Sequence, residues 1–177
     1  MSKMQTLIYD KDSRTYPSKP LVGVGGIIFD GDRVLLGLRG KEPGKGKWSI
    51  PGGAVKIGET LEEALKRELS EEVGISVVVK DIVAVLDRII KDENGNIAYH
   101  YILVDFLCVP ADHSTPKPGS DLIDCRYVRI DDLDHYNLTL GTACVVKQAF
   151  DCLKNLSHKV PIYNPDSTSN AFSYLHP

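Results

Sequence analysis

Residues 53–75 read GAVKIGETLEEALKRELSEEVGI. Thr60 suits a helix N-cap, and Glu63 stands three residues on, the spacing of a capping box. Gly74 falls where a left-handed C-cap is expected. The pattern predicts a helix over Thr60 to Val73. On the helical period, Leu61, Ala64, Leu65 and Leu69 share one apolar face, while Glu62, Glu63, Lys66 and Ser70 point away as a solvated face. Glu68 and Glu72 break this division. Spaced i, i+4, they extend the row of Leu61 and Leu65, with Glu71 one step to the side. Desolvated like charges in that position are costly unless something compensates. Two readings fit. Either the helix ends at the surface and both acids are solvated, or a divalent cation holds them. Three carboxylates on one edge suit a hard ion that takes oxygen ligands, chiefly magnesium, with manganese as the substitute. The negative end of the helix dipole adds to the need for a cation. Pro51-Gly52-Gly53, just upstream, permits a tight turn whose backbone can approach a metal or phosphate; an ordinary strand break is the plainer reading.

Outward from this helix, strands are expected on both sides. Leu21 to Phe29 and Arg33 to Leu38 form a hairpin around Asp30-Gly31-Asp32. A Gly/Pro/Lys loop over residues 40–47 leads to a short extended piece, Trp48 to Ile50. After the helix, Ile75–Val79 and Ile82–Ile90 are β-rich. Asn94-Gly95 marks a hairpin into a long strand, Ala98–Val109. Residues 111–119 read as a polar loop, Cys125–Ile130 as a strand, and Thr142–Leu156 as a helix whose apolar side runs through Val145, Val146, Ala149, Phe150, Cys152 and Leu153. The expected class is α/β with a mixed sheet. Residues 1–20 look like an N-terminal arm, 21–156 the domain and 157–177 a tail poor in regular signals.

The 177 residues fit one domain, and 42% hydrophobic residues supply a core. A net charge of −3 argues against a broad basic nucleic-acid surface, not against a small phosphate-bearing ligand. Cys108, Cys125, Cys144 and Cys152 form no CxxC pair, which points to buried reduced thiols rather than structural zinc. Residues 1–19 hold no apolar run like a signal peptide, and no segment approaches a membrane span, so a cytoplasmic protein is expected, without a membrane or nucleic-acid partner.

Taken together, Gly53, Glu59, Arg67-Glu68-Leu69, Glu71-Glu72 and Gly74-Ile75 resemble the Nudix box, GX5EX7REUXEEXGU, at every specified position. A looser likeness extends from about Leu21 to about Leu156. The resemblance implies an α/β/α sandwich in which the box forms loop–helix–loop. It implies a MutT-like pyrophosphohydrolase, with Glu68, Glu71 and Glu72 binding a divalent metal together with a backbone carbonyl near Gly53, and Arg67 and Glu59 supporting them. The general base is either a box glutamate, Glu68, or a carboxylate from a later loop: Glu93, Asp121 or Asp124. Each of these three is also plausible as a solvated loop acid.

For the substrate, Arg39, Lys41, Lys45 and Lys47 lie just before the box and could face a diphosphate or simply be solvated. Arg39, at a strand end, is the best placed. Gly52 would let backbone approach the substrate, and Trp48 would either stack on a base or join the core. The chain lacks the zinc cysteines and aromatic–proline motif of the NADH-cleaving branch and the extra motif of the coenzyme A branch. The proline that many ADP-ribose hydrolases carry after the box has no counterpart over Asp87 to Lys91. The stretch LLGLRGKEPGKGKWSIPGG is nevertheless similar to ADP-ribose pyrophosphatase-like chains, and also to GDP-mannose hydrolases. ADP-ribose or a similar nucleotide sugar is therefore the expected substrate. Nucleoside triphosphates, including oxidised ones, are the alternative, and a Nudix module that binds without cleaving is the rival class. Relatives often form homodimers, which residues 1–20 or the tail could serve.

Overall fold

The computed structural model describes residues 14–119, 121–155 and 162–163. The chain order is β1 (Leu21–Asp30), β2 (Arg33–Arg39), β3 (Trp48–Ser49), β4 (Gly52–Ala54), α1 (Leu61–Val73), β5 (Val77–Lys91), β6 (Ile97–Pro110), β7 (Leu122–Arg129), a 3-10 turn (Ile130–His135), α2 (Thr142–Asn155) and β8 (Ile162–Tyr163). The strands run β3-β2-β1-β6-β5-β8, with β4 also paired to β1 and β7 to β2. β1 lies parallel to β6 and β5 parallel to β8, and the remaining pairs are antiparallel. The sheet is thus mixed, as expected.

β1 lacks a two-residue alternation because it is buried on both faces. Ile28 packs toward α1 with Leu35, Leu65, Leu69 and Val73. Ile27, next to it, packs toward α2 with Val34, Leu36, Val145, Val146 and Ala149. Helices on both faces make the α/β/α sandwich.

The helix that decided the sequence reading forms as its punctuation dictates. Thr60 Oγ1 accepts from the Glu63 N–H at 3.2 Å, and the Glu63 carboxylate accepts from the Thr60 N–H at 2.8 Å. Gly74 ends the helix at φ 66°. The end is not left to solvent. The Gly119 N–H donates to the Glu72 carbonyl at 2.7 Å and the Lys117 N–H to the Val73 carbonyl at 3.0 Å. The loop after β6 therefore satisfies carbonyls that a helix terminus otherwise exposes.

Several expectations needed revision. Ile75–Val79 and Ile82–Ile90 are parts of one strand, β5, whose register against β6 shifts between Val79 and Asp81 and again between Ile82 and Ala84. The first bulge leaves Lys80 unpaired and the second Val83, so the strand continues through the polar Lys80-Asp81 pair. Within Pro51-Gly52-Gly53, expected as a turn or strand break, Gly52 and Gly53 pair with β1, as does Ala54 after them. The 3-10 turn was not foreseen, nor was β8, two residues held by their partner β5 rather than by any pattern of their own. On α2, Leu153 is 43% exposed, so the core-facing side stops at Ala149 and Phe150. Of the four thiols, Cys108 and Cys125 are buried and Cys144 and Cys152 half-buried. Among the described residues no helix is long and apolar enough to cross a membrane. Most of the arm and tail, 1–13, 157–161 and 164–177, lies outside the described residues.

Leu69 is fully buried between α1 and β1. Leu69→Ala should cost about 2–5 kcal/mol by denaturant unfolding, against about 1 kcal/mol for Thr60→Ala, which removes only the cap. Equal costs would mean that α1 is held by its own propensity rather than by packing.

Candidate active site

The glycine turn and α1 meet edge to edge. Gly52 has φ 153°, and a Cβ there would lie 2.8 Å from Gly25 Cα, so no other residue fits without moving β1. The Gly52 N–H donates to Glu72 Oε2 at 2.9 Å. A Cβ on Gly53 would overlap the Glu68 carboxylate, coming within 2.7 Å of Oε1. The two glycines thus seat the two acids that interrupt the apolar stripe, and the helix does not end with them solvated. The Glu68 side chain is only 13% exposed. Burial pushes the Glu72 carboxyl up to about 7, the Gly52 hydrogen bond opposes this, and the charge of Glu68 adds to it. A cation placed between them would favour the ionised form.

Arg67 ties the group together. Its Nε and Nη2 donate to the two oxygens of Glu59 at 2.6 and 2.8 Å, a bidentate pair. Its Nη1 donates to Glu68 Oε1 at 2.6 Å and reaches Glu71 Oε2 at 3.4 Å, and Nη2 also donates to the Ala54 carbonyl at 3.0 Å. Glu59 is anchored on its other side by the Lys56 N–H at 2.9 Å. The Arg67 hydrogen bonds, then that of Lys56, hold the Glu59 carboxyl down at about 2. The Arg67 guanidinium is raised above its ordinary range, chiefly by Glu59. Glu71 is the outlier: its side chain is 53% exposed. Among the described residues no three acids, histidines or cysteines converge into a ready-made metal cage. Arg67, not a common focus, organises these carboxylates here.

Glu68, Glu72, Gly52 and Gly53 line one end of a cavity of about 620 Å³. Arg39, Lys41 and Lys47 enter the same cavity from the residue 39–47 loop, and Arg39 is held by donating from Nε to the Pro43 carbonyl at 2.8 Å. Lys45 is not part of the lining. Of the three loop acids, Asp121 lines the cavity and pairs with Lys41. Asp124 pairs with Arg126 outside it, and Glu93 is exposed in the β5–β6 turn. Trp48 is placed away from the cavity. It packs with the α2-side core, edge-on to Tyr136 at 5.5 Å, with the Arg126 guanidinium 5.0 Å from its ring centre. Of its two readings, core and base stacking, this packing matches the first, and Trp48 does not line the cavity.

Sequence reasoning missed the β5–β6 wall of the cavity. Alternate residues of β5 (Leu86, Arg88, Ile90) and β6 (Tyr99, Tyr101, Leu103, Asp105) line it. Asp105 is 4% exposed, and burial pushes its carboxyl up to about 7. The available signal was a single acid in the apolar run Ile102 to Cys108.

These features define a class: an α/β/α sandwich in which a glycine turn and the helix after it set carboxylates in a cavity. The chain belongs to the Nudix family, since the NUDIX domain model matches residues 19–148. Among curated relatives, it is 38% identical over 114 residues to the ADP-ribose pyrophosphatase of Methanocaldococcus jannaschii, a match covering 64% of each chain. It is 37% identical over 89 residues to the low-salt glycan biosynthesis protein Agl8 of Haloferax volcanii, covering 49% of this chain and 57% of the relative. The match thus spans less than two thirds of either relative's length. The solved MutT NUDIX hydrolase from Burkholderia pseudomallei superposes with a TM-score of 0.65 at 31% identity, covering 74% of this chain and 98% of that one.

The buried Asp105 makes stability pH-dependent. Its folded pKa lies above the unfolded value, so its stabilising contribution is complete below about pH 4 and is lost as pH rises through about 7, by up to ~4 kcal/mol. In metal-free protein, Asp105→Asn should gain stability over wild type as pH is raised from about 5 to 8, read as a growing difference in Tm. A difference that stays flat with pH would mean the folded protein does not disfavour the charge.

Proposed function

We propose that the protein hydrolyses a pyrophosphate bond in a nucleoside diphosphate linked to another moiety, ADP-ribose or a similar nucleotide sugar, with magnesium, or manganese in its place. The observation that carries this reading is the pair Glu68 and Glu72, largely desolvated against Gly52-Gly53 in a cavity that Arg39 and Lys47 also line. Paired acids with a raised carboxyl, in a cavity whose described lining holds no His or Cys, fit a hard divalent ion. Glu68, Glu72 and, after leaving Arg67, Glu71 would hold it beside the Gly53 backbone. What the ion supplies when bound is charge neutralisation at the pyrophosphate oxygens.

The chain's own residues do the rest. Arg39 and Lys47 present cationic donors to the phosphates. Glu59 fixes Arg67, and Arg67 fixes Glu68, so one carboxylate oxygen of Glu68 stays turned toward the glycine turn. The proton of the attacking water goes to Glu68 or to Asp121, the two of the four candidate bases that line the cavity. Water adds to one phosphorus, the bridging P–O bond breaks, and ADP-ribose gives AMP and ribose 5-phosphate. The ADP-ribose pyrophosphatase among the relatives supports this choice of substrate.

A panel of ADP-ribose, GDP-mannose, dinucleoside polyphosphates and oxidised dGTP, assayed with and without magnesium, tests the reading. Magnesium-dependent release of a nucleoside monophosphate is expected. Glu68→Gln should lower kcat by about 10²–10⁴ with a smaller change in KM. Arg67→Lys, which cannot fork onto Glu59, should lower activity or metal affinity by about 10–100-fold. If no member of the panel turns over and Glu68→Gln leaves nucleotide binding unchanged, the protein is a binding module instead.

A further inference from the structure

Asp105 is a buried carboxylate with no structural task. It sits on β6 directly across from Gly25 of β1, and Gly25 in turn faces Gly52 of β4. A Cβ on Gly25 would collide with the Asp105 carboxylate and approach Ile50 Cδ1 to 2.7 Å. The missing side chain is what lets the carboxylate lie down on the sheet. Among the described residues no hydrogen bond or ion pair reaches it, and burial alone accounts for its raised pKa. No side-chain polar atom among the described residues is both fully enclosed and unpartnered. The carboxylate oxygens therefore open into the cavity that Asp105 lines.

A lone acid in an apolar site either takes up a proton or, when ionised, needs a partner that compensates its desolvation. Its surroundings point to a ligand. Ile50 and Leu103 are apolar walls and Ser49 a small polar neighbour, all lining the same cavity. Two strand spacings, about 10 Å, separate Asp105 from Gly52, where the Glu72 carboxylate is held. That is about the reach from the phosphate of a nucleotide to the polar edge of its base.

Given the reading above that a nucleotide occupies the cavity, we propose that Asp105 is a specificity-determining residue that accepts a hydrogen bond from the exocyclic amino group of the base. An ionised carboxylate only accepts. An amino group supplies the donor it lacks, whereas the oxo group at the same position of the deaminated base presents only lone pairs and sets an acceptor against the acid. Sites built to hydrogen-bond one partner reject an analogue without it far more strongly than apolar pockets reject a methylene. Amino-bearing bases are thus favoured over their oxo counterparts: adenine over hypoxanthine, cytosine over uracil.

Calorimetric binding of AMP, IMP, CMP and UMP in magnesium buffer at about pH 8.5, where the carboxyl is ionised, tests this without any turnover. Wild type should prefer AMP to IMP, or CMP to UMP, by about tenfold to a hundredfold. Asp105→Asn, which can donate as well as accept, should shrink that preference to within about threefold, and Asp105→Leu should abolish it. Thermal unfolding checks that both variants fold, and Asn, which removes the buried charge, carries the test if Leu does not fold. The proposal is overturned if wild type shows no preference, if none of the four binds, or if Asn retains the wild-type preference. A protein that discriminates in this way but cleaves no pyrophosphate would sink the hydrolase reading alone, and one that cleaves with an unaltered preference in Asn would sink this inference alone.

Discussion

Arg67 is the interaction on which the site depends. A single guanidinium joins the loop before α1, through Glu59 and the Ala54 carbonyl, to the helix itself, through Glu68. Its planar fork matches the Glu59 carboxylate in a way an ammonium does not. The pairing does two jobs. It fixes the entry of the chain into α1, and it offsets the charge of an acid that the fold presses against a bare backbone at Gly53. With Arg67 removed, Glu68 would be a desolvated charge beside Glu72 with no compensation.

The glycines of β1 and β4 extend the same logic across the sheet. At Gly53 the missing side chain admits the Glu68 carboxylate and at Gly25 that of Asp105, while Gly52 holds Glu72 through its N–H. The absent side chains of Gly53 and Gly25 are each replaced by an acid belonging to another element. The cavity consequently has carboxylates at two places, Glu68 and Glu72 beside β4 and Asp105 on β6, with the cationic residues Arg39 at the end of β2 and Lys41 and Lys47 in the loop after it. Glu72 and Asp105 are both raised toward neutrality by burial. The scaffold bears that cost because its core lies elsewhere, in two continuous apolar clusters on either side of β1 and β2.

The cavity walls show why strands suit this task. On β6, alternate residues from Tyr99 to Asp105 line the cavity, while Val104 and Phe106 face the α1 core. A two-residue period lets one strand serve a ligand and a core together. Tyr99 and Tyr101 stack at 6.2 Å along the same row, which keeps that wall flat.

What the sequence determined by itself was local. The capping box, the Gly74 cap and the helical phase of Leu65, Leu69, Glu68 and Glu72 are set by residues within a few turns of one another, and α1 follows them residue for residue. The hairpin around Gly31 and the class of the sheet were legible for the same reason. The tertiary structure decided everything that depends on a distant partner. Whether Glu72 was solvated or seated turned on Gly52 twenty positions upstream and on a loop closing over the helix end. Whether Trp48 met a ligand or the core turned on Tyr136 and Arg126. That Asp105 faces a cavity rather than solvent turned on β1 lying parallel to β6 with a glycine in register. Periodicity carries phase along one element but no register between elements, and register is what brings a lone acid, an absent side chain and a cavity to the same place.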